Sequence, residues 1–167
     1  MTTIKILAAC MLMCILTGIS VFLKLKTDNT KIAVVDATKL FSQYNMTKEL
    51  EGKAKIKLLA MGKQMDSVET LLNTVKALKN ENEINRLSNV YAYYKDKLED
   101  QYTQSNREIN ELVWKRLNKV IDDYGKKKGL HLIIGANGMG SVLYNDDYYD
   151  LTNDAVIYVN KNYEEGN

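Results

Sequence analysis

Leu50-Glu51-Gly52-Lys53-Ala54-Lys55-Ile56-Lys57-Leu58-Leu59-Ala60-Met61-Gly62-Lys63-Gln64-Met65 is the stretch that decides the fold of this chain. Leu50, Ala54, Leu58, Met61 and Met65 recur every three or four residues, a spacing that lays one apolar stripe along an α-helix. Outward toward the N-terminus the stripe begins at Leu40, Tyr44 and Thr47. Toward the C-terminus it runs on through Val68, Leu72 and Val75, about ten turns in all. At Lys79-Asn80-Glu81-Asn82 the apolar residues stop and a polar turn is expected. A second stripe follows, from Ile84, Leu87, Tyr91 and Tyr94 through Leu98, Tyr102, Ser105 and Ile109 to Val113, Leu117, Val120 and Tyr124. The chain has no proline, so nothing kinks these helices by removing a backbone donor. Two matched amphipathic helices joined by a polar tip predict an antiparallel coiled-coil hairpin over 38–124, each arm about 60 Å long.

The flanks change period. Lys31 to Asp36 is rich in β-branched residues and reads as a strand (31–36), with Asp36 or Thr38 able to cap the helix that follows. Gly125 and Gly129 around Lys126-Lys127-Lys128 are helix-stop signals. Two further strands are expected within 130–144, Leu130 to Ile134 and Ser141 to Tyr144, joined as a hairpin by Gly135-Ala136-Asn137-Gly138-Met139-Gly140. Thr152 caps a short helix over 152–161. The fold class is therefore α+β: a long helical hairpin on a small β-sheet body. So small a core is expected to complete itself by oligomerising. Ahead of it, Lys5 followed by the uncharged run Ile6 to Leu23 marks 1–26 as a signal peptide or an uncleaved signal anchor, long enough to form a transmembrane helix at the lower limit. Leu7-Ala8-Ala9-Cys10 spells a lipoprotein box but comes too early in the chain to act as one.

Composition narrows the function. Net charge is +2, from 23 basic and 21 acidic residues, which argues against nucleic acid as a partner. Cys10 and Cys14 are the only cysteines, so the body holds neither a disulfide nor a thiolate metal site. His131 has no ligand pattern around it and reads as structural. The loop Gly135 to Gly140 lacks the lysine and hydroxyl of a P-loop. Asp146, Asp147, Asp150 and Asp154 do not have EF-hand spacing and read as turn and cap residues. Lys126 to Lys128 read as a favourable helix end. No nucleophile and base can be paired, and no cofactor is implied, so the chain is not expected to be an enzyme. What stands out is the softness of the arms. Gly52 and Gly62 lie inside a helix, and Leu59 and Tyr93 widen an apolar face that also carries Met61, Met65, Tyr91 and Tyr94. Adaptable surfaces of this kind suit binding to many partners.

The order of elements, with Ile32-Ala33-Val34-Val35-Asp36 at the start and Ser141-Val142-Leu143-Tyr144 followed by Asp150-Leu151-Thr152-Asn153-Asp154 near the end, resembles the Skp/OmpH family of periplasmic chaperones. The likeness covers a domain of 31–163. It implies a homotrimer whose strands form a β-barrel, here with Val34, Ile133 and Val142 in its core, and whose hairpins project as tentacles. It also implies an ATP-independent holdase that carries unfolded outer-membrane proteins through the periplasm of a Gram-negative bacterium. Clients would be held along the arm faces by Leu59, Met61, Met65, Tyr91, Tyr93 and Tyr94. One departure is the charge of the arms: Thr38 to Tyr124 carries 15 basic and 13 acidic residues, a net of +2, where relatives are often markedly basic. With the N-terminal run, which would tether the chain to the inner membrane if uncleaved, this keeps a second reading open: a membrane-anchored coiled-coil scaffold for one envelope partner.

Overall fold

The computed structural model describes residues 13, 15, 17 and 31–166, so the expected signal peptide or anchor over 1–26 lies outside the described residues but for those three positions. Among the described residues no helix is long and apolar enough to cross a membrane. Strand β1 (Ile32–Asp36) opens the domain, and Ala33, Val34 and Val35 are all buried. A continuous buried run, rather than alternation, fits a strand covered on both faces. The Asp36 carboxylate accepts the Lys39 backbone N–H at 2.9 Å and so caps helix α1 (Ala37–Gln43).

The arm is the predicted hairpin. Helix α2 (Asn45–Ala77) runs out, Leu78 to Asn80 form the tip, and helix α3 (Glu81–Lys128) returns. Lys79 turns the corner at φ +54°, and Asn80 caps α3 by accepting the Glu83 N–H at 3.3 Å. The far end of α3 closes as a Schellman motif. Gly129 takes φ +64°, the Leu130 N–H reaches the Gly125 carbonyl at 2.9 Å, and the Gly129 N–H reaches that of Lys126 at 3.1 Å.

Two expectations are corrected here. The first concerns the sheet. Instead of three strands with an antiparallel connection, the described residues form two, β1 and β2 (Leu132–Ala136), paired in parallel from Ile32 opposite Leu132 to Asp36 opposite Ala136. The cause is the unequal length of the arm helices, 33 residues in α2 against 48 in α3. The extra turns of α3 carry the chain past the sheet, so β2 must run back in the direction of β1. Ser141 to Tyr144 forms no strand; Leu143 and Tyr144 stand 92% and 83% exposed. Gly138 (φ +71°) and Gly140 (φ +93°) turn the chain away from β2, and the Asn137 side chain holds that turn by accepting from the Met139 N–H and the Ser141 hydroxyl. The other side of Val34 is taken by Asp150, with the Leu151 N–H donating to the Val34 carbonyl at 3.0 Å. His131 sits just before β2, exposed, with its backbone N–H donating to the Lys31 carbonyl.

The second correction is a break in the first helix. Tyr44 is extended (φ −69°, ψ 130°) and fully buried, so the hairpin does not run unbroken from residue 38. The C-terminal helix α4 (Thr152–Glu164), three residues longer than expected, makes the break possible. The Tyr163 ring packs edge-on against Tyr44 at 5.5 Å, and Asn160 serves both freed backbone groups. Its side-chain oxygen accepts the Asn45 N–H at 2.7 Å and its nitrogen donates to the Gln43 carbonyl at 3.0 Å. Asn160→Ala should therefore cost about 1–2 kcal/mol, because it strands a part-buried backbone donor. A fall in the urea midpoint at unchanged slope is the expected reading, and an unchanged midpoint would refute the clasp.

Around this junction lies the core. Leu40 of α1, Ile109, Val113, Leu117, Val120 and Tyr124 of α3, and Ala155, Val156 and Val159 of α4 form one buried cluster with Val35 and Tyr44. Phe41 stacks on Trp114 at its margin, with ring centroids 5.5 Å apart.

Candidate functional site

The seam between the two arm helices is fully buried only towards its ends. Near the tip Leu72 and Leu87 are buried, and near the body Thr47, Ser105, Ile109 and Val113 are buried. Over the interval from Ala54 to Val68 and from Tyr91 to Leu98 no seam residue is buried, although Leu58, Met61, Met65, Tyr94 and Leu98 all point along the stripe. The residue types contribute to this exposure. Ala54 is a small seam residue, and beside the seam a Cβ placed on Gly62 would meet nothing within 4 Å. Half-exposed seam side chains keep part of their apolar area in water, so this interval is an apolar surface with unspent binding capacity.

On one broad side of this interval lies a groove of about 970 Å³. Its floor is apolar, with Leu58 and Met65 from α2 facing Tyr91, Leu98 and Tyr102 from α3, and the exposed Leu59 stands at the outer rim on α2. Its rim carries Lys55, Lys63 and Lys95 against Glu51, Asp66 and Glu99, so its formal charges cancel. From Glu51 to Asp66 it follows α2 for roughly 22 Å, the length of six or seven residues of extended chain. The groove lies at the upper end of the range for small-molecule sites, about 300–1,000 Å³, but it is open rather than enclosed. Chemically it offers apolar area, polarizable sulfur, tyrosine rings and a rim able to hydrogen-bond a peptide backbone. These are means of holding a chain.

The six arm residues expected to bind do not form one surface. Leu59, Met65 and Tyr91 line the groove. Met61 lies half-buried in the seam outside it. Tyr93 is exposed and away from it, its ring edge-on to Tyr94 at 5.7 Å with the Lys97 ammonium 5.7 Å above. Leu58, Leu98 and Tyr102 belong to the groove, although periodicity alone assigns them to a closed internal seam, and Gly62 joins them. The signal that marks them is the small Ala54 at a seam position and Gly62 beside the seam, where a closed coiled coil would carry larger side chains. In the body, Val34 is buried in β1, Ile133 lies over Gly125 with its Cδ1 3.2 Å from where a Cβ would be, and Val142 is half-buried outside the sheet.

The remaining candidates have ordinary roles. Asp146 caps the short 3-10 turn Asp147–Tyr149 by accepting the Tyr148 N–H. Asp150 accepts the Thr152 N–H at 2.8 Å, and the Thr152 hydroxyl and amide hold its carboxyl below the usual range. Lys126 pairs with Asp122, which raises the lysine. Lys127 lies over the Tyr158 ring and Lys128 pairs with Asp154 at 3.2 Å. Burial, helped by Asp154, pushes the Tyr124 phenol up. Among the described residues no three carboxylate, cysteine or histidine groups come together as metal ligands.

The family model described as outer membrane protein (OmpH-like) matches residues 31–158. No curated protein matches the chain.

Proposed function

This chain belongs to the OmpH-like family of periplasmic outer-membrane-protein chaperones, and from that premise we propose that it is an ATP-independent holdase for unfolded outer-membrane proteins. The observation that carries the reading is the mid-arm groove: apolar, methionine- and tyrosine-lined, neutral at its rim and as long as a short extended segment. A holdase needs many weak contacts with no fixed sequence, and adaptable side chains supply them. Clients are held at the groove by Leu59, Met65 and Tyr91, while Met61, Tyr93 and Tyr94 lie outside it and contribute little.

The working form is a homotrimer assembled through the body. The free edge of β2 in this two-stranded sheet leaves backbone groups unpaired, on which a further strand can build. Beside it Met139, Leu143, Tyr144 and Tyr148 are each more than 80% exposed, as side chains awaiting a neighbour would be. The strands of three copies, with Val34 and Ile133 inside and the segment around Val142 joining them, complete a barrel.

The test is light scattering of a urea-unfolded outer-membrane protein diluted into the exported protein. Suppression at one trimer per client, without nucleotide, is expected. Aggregation at the rate of the client alone would overturn the holdase. Pull-down of one stoichiometric envelope partner instead of many outer-membrane proteins would favour the membrane-anchored scaffold.

A further inference from the structure

The two outer edges of the arm carry opposite charge. On α2, Lys53, Lys55, Lys57 and Lys63 fall between Gly52 and Met65 with no carboxylate among them. Lys55 and Lys63 border the groove on one broad side of the hairpin, and Lys53 and Lys57 border a smaller hollow that reaches Leu112. Between these rows, on the edge turned away from α3, Ile56 is 71% exposed and Leu59 is 57% exposed. The edge of α2 is thus a small apolar strip flanked by four ammonium groups, of which Lys53 also pairs with its own helix neighbour Glu49. On α3, Asp96, Glu99, Asp100 and Glu108 line one shallow hollow with Arg107, and no residue of α2 belongs to it. That edge is acidic, with Asp96 and Asp100 bordering no hollow shared with α2, and Glu99 and Glu108 at its margins towards α2.

The two edges lie level along the arm. Lys53 and Lys57 share their hollow with Gln101, Ser105 and Glu108, and Lys55 and Lys63 share the groove with Lys95, Glu99 and Asn106. A rotation axis along the arms leaves height above the body unchanged, so equal heights on different copies meet. Pairing α2 with α2 would set four lysines against four. Pairing α2 with the neighbour's α3 matches unlike charges and repeats head to tail, the interface type that closes into a ring.

We propose that, in a cyclic oligomer of this chain, the lysine-flanked outer edge of α2 docks on the acidic outer edge of α3 of the next copy, closing the arms into a salt-sensitive cage. This rests on the body-mediated oligomer proposed above. Each pair is exposed and individually weak, so closure depends on their number and on screening. The Debye length shrinks from about 10 Å at 0.1 M salt to about 3 Å at 1 M. The cage therefore opens and recloses readily, as entry and release of a chain require. It also gives the near-neutral arms a purpose, since a uniformly basic arm would repel its neighbours.

The experiment uses the whole protein, refolded from a mixture of ordinary and nitrogen-15-labelled copies. Native mass measurement counts the subunits, and a zero-length carbodiimide joins only lysine and carboxylate side chains in contact. Cross-links between differently labelled copies, from Lys53–Lys63 to Asp96–Glu108, are expected at about 0.05 M salt and should fall about fivefold at about 0.5 M. Lys53→Glu with Lys57→Glu and Lys63→Glu should lose them, and adding Asp96→Lys, Glu99→Lys and Asp100→Lys should restore them. An oligomer with links only inside single copies, or with links insensitive to salt, overturns arm closure and leaves the body assembly standing. A monomer by mass overturns both. The salt series on the unmutated protein decides the matter even if a variant misfolds.

Discussion

Met65→Asp combined with Tyr91→Asp should abolish client holding while leaving the fold in place. Both residues line the groove and both are partly exposed, so a carboxylate at either site stays in water and avoids the penalty of a buried charge. The helix loses a few tenths of a kcal/mol per aspartate in intrinsic propensity. The carboxylate introduced by Tyr91→Asp would even gain a favourable i,i+4 partner in Lys95. The groove, however, loses its sulfur and one of its two rings, and its rim moves from neutral to two net negative charges. A large apolar side chain fully covered by a client contributes about 1.5–3 kcal/mol. Losing two therefore weakens client affinity about a hundredfold or more. The measurement is the dissociation constant for a fluorescent unfolded outer-membrane protein, together with far-ultraviolet dichroism to show that the helices persist. Tyr93→Asp is the control: Tyr93 lies away from the groove, packed on Tyr94, and should change affinity less than about threefold. If the double variant binds like the parent, or if Tyr93→Asp is the worse of the two, the groove is not where clients are held.

How far such a site could be read from residues depends on which forces are local. The hairpin was legible because a repeat of three and four over some ten turns has one structural meaning, and because Asn80 and Gly129 punctuate it by local chemistry. The break at Tyr44 was not, since no glycine or proline marks it. Its cause is Asn160, 115 residues beyond Asn45, whose amide replaces the helical hydrogen bonds that the break gives up. The direction of β2 was likewise hidden: it follows from how far α3 overshoots the sheet, a length visible only once the tip and both ends are placed. Ser141 to Tyr144 has strand composition, but a strand exists only beside another, and within one chain this one has no ladder to join. The groove falls between these cases. Gly62 and Ala54 announced a soft arm, yet which seam side chains stay half-exposed depends on how the two helices meet along their length. Tyr93, adjacent to Tyr91 and Tyr94 in sequence, turned out to face elsewhere.

The buried end of the seam at the body makes Leu117→Ala the most damaging single truncation to be expected. Leu117 is fully buried where α1, α3 and α4 converge, in the cluster that also holds Tyr44 and Tyr124. Removing it deletes methyl and methylene groups from a site that cannot collapse, since the helices around it are pinned by the Asn160 clasp and the Gly129 cap. The cost should be about 3–5 kcal/mol, against a typical total of roughly 5–15. For a domain of this size that is a fall in melting temperature on the order of 10 °C. Leu72→Ala, buried near the tip, should cost less than half as much, because the tip can fray without the body following. The only tryptophan, Trp114, gives a local reading, since it stacks on Phe41 at the edge of the same core. In Leu117→Ala its fluorescence transition should shift to lower urea and precede the loss of helical dichroism from the arms. Coincident transitions at the parent's midpoint would mean that the body is not what holds the arms in place. Should the body melt first, client holding would fail in the same range of urea although every groove residue is intact, because an arm with no anchored base cannot keep its two helices in register.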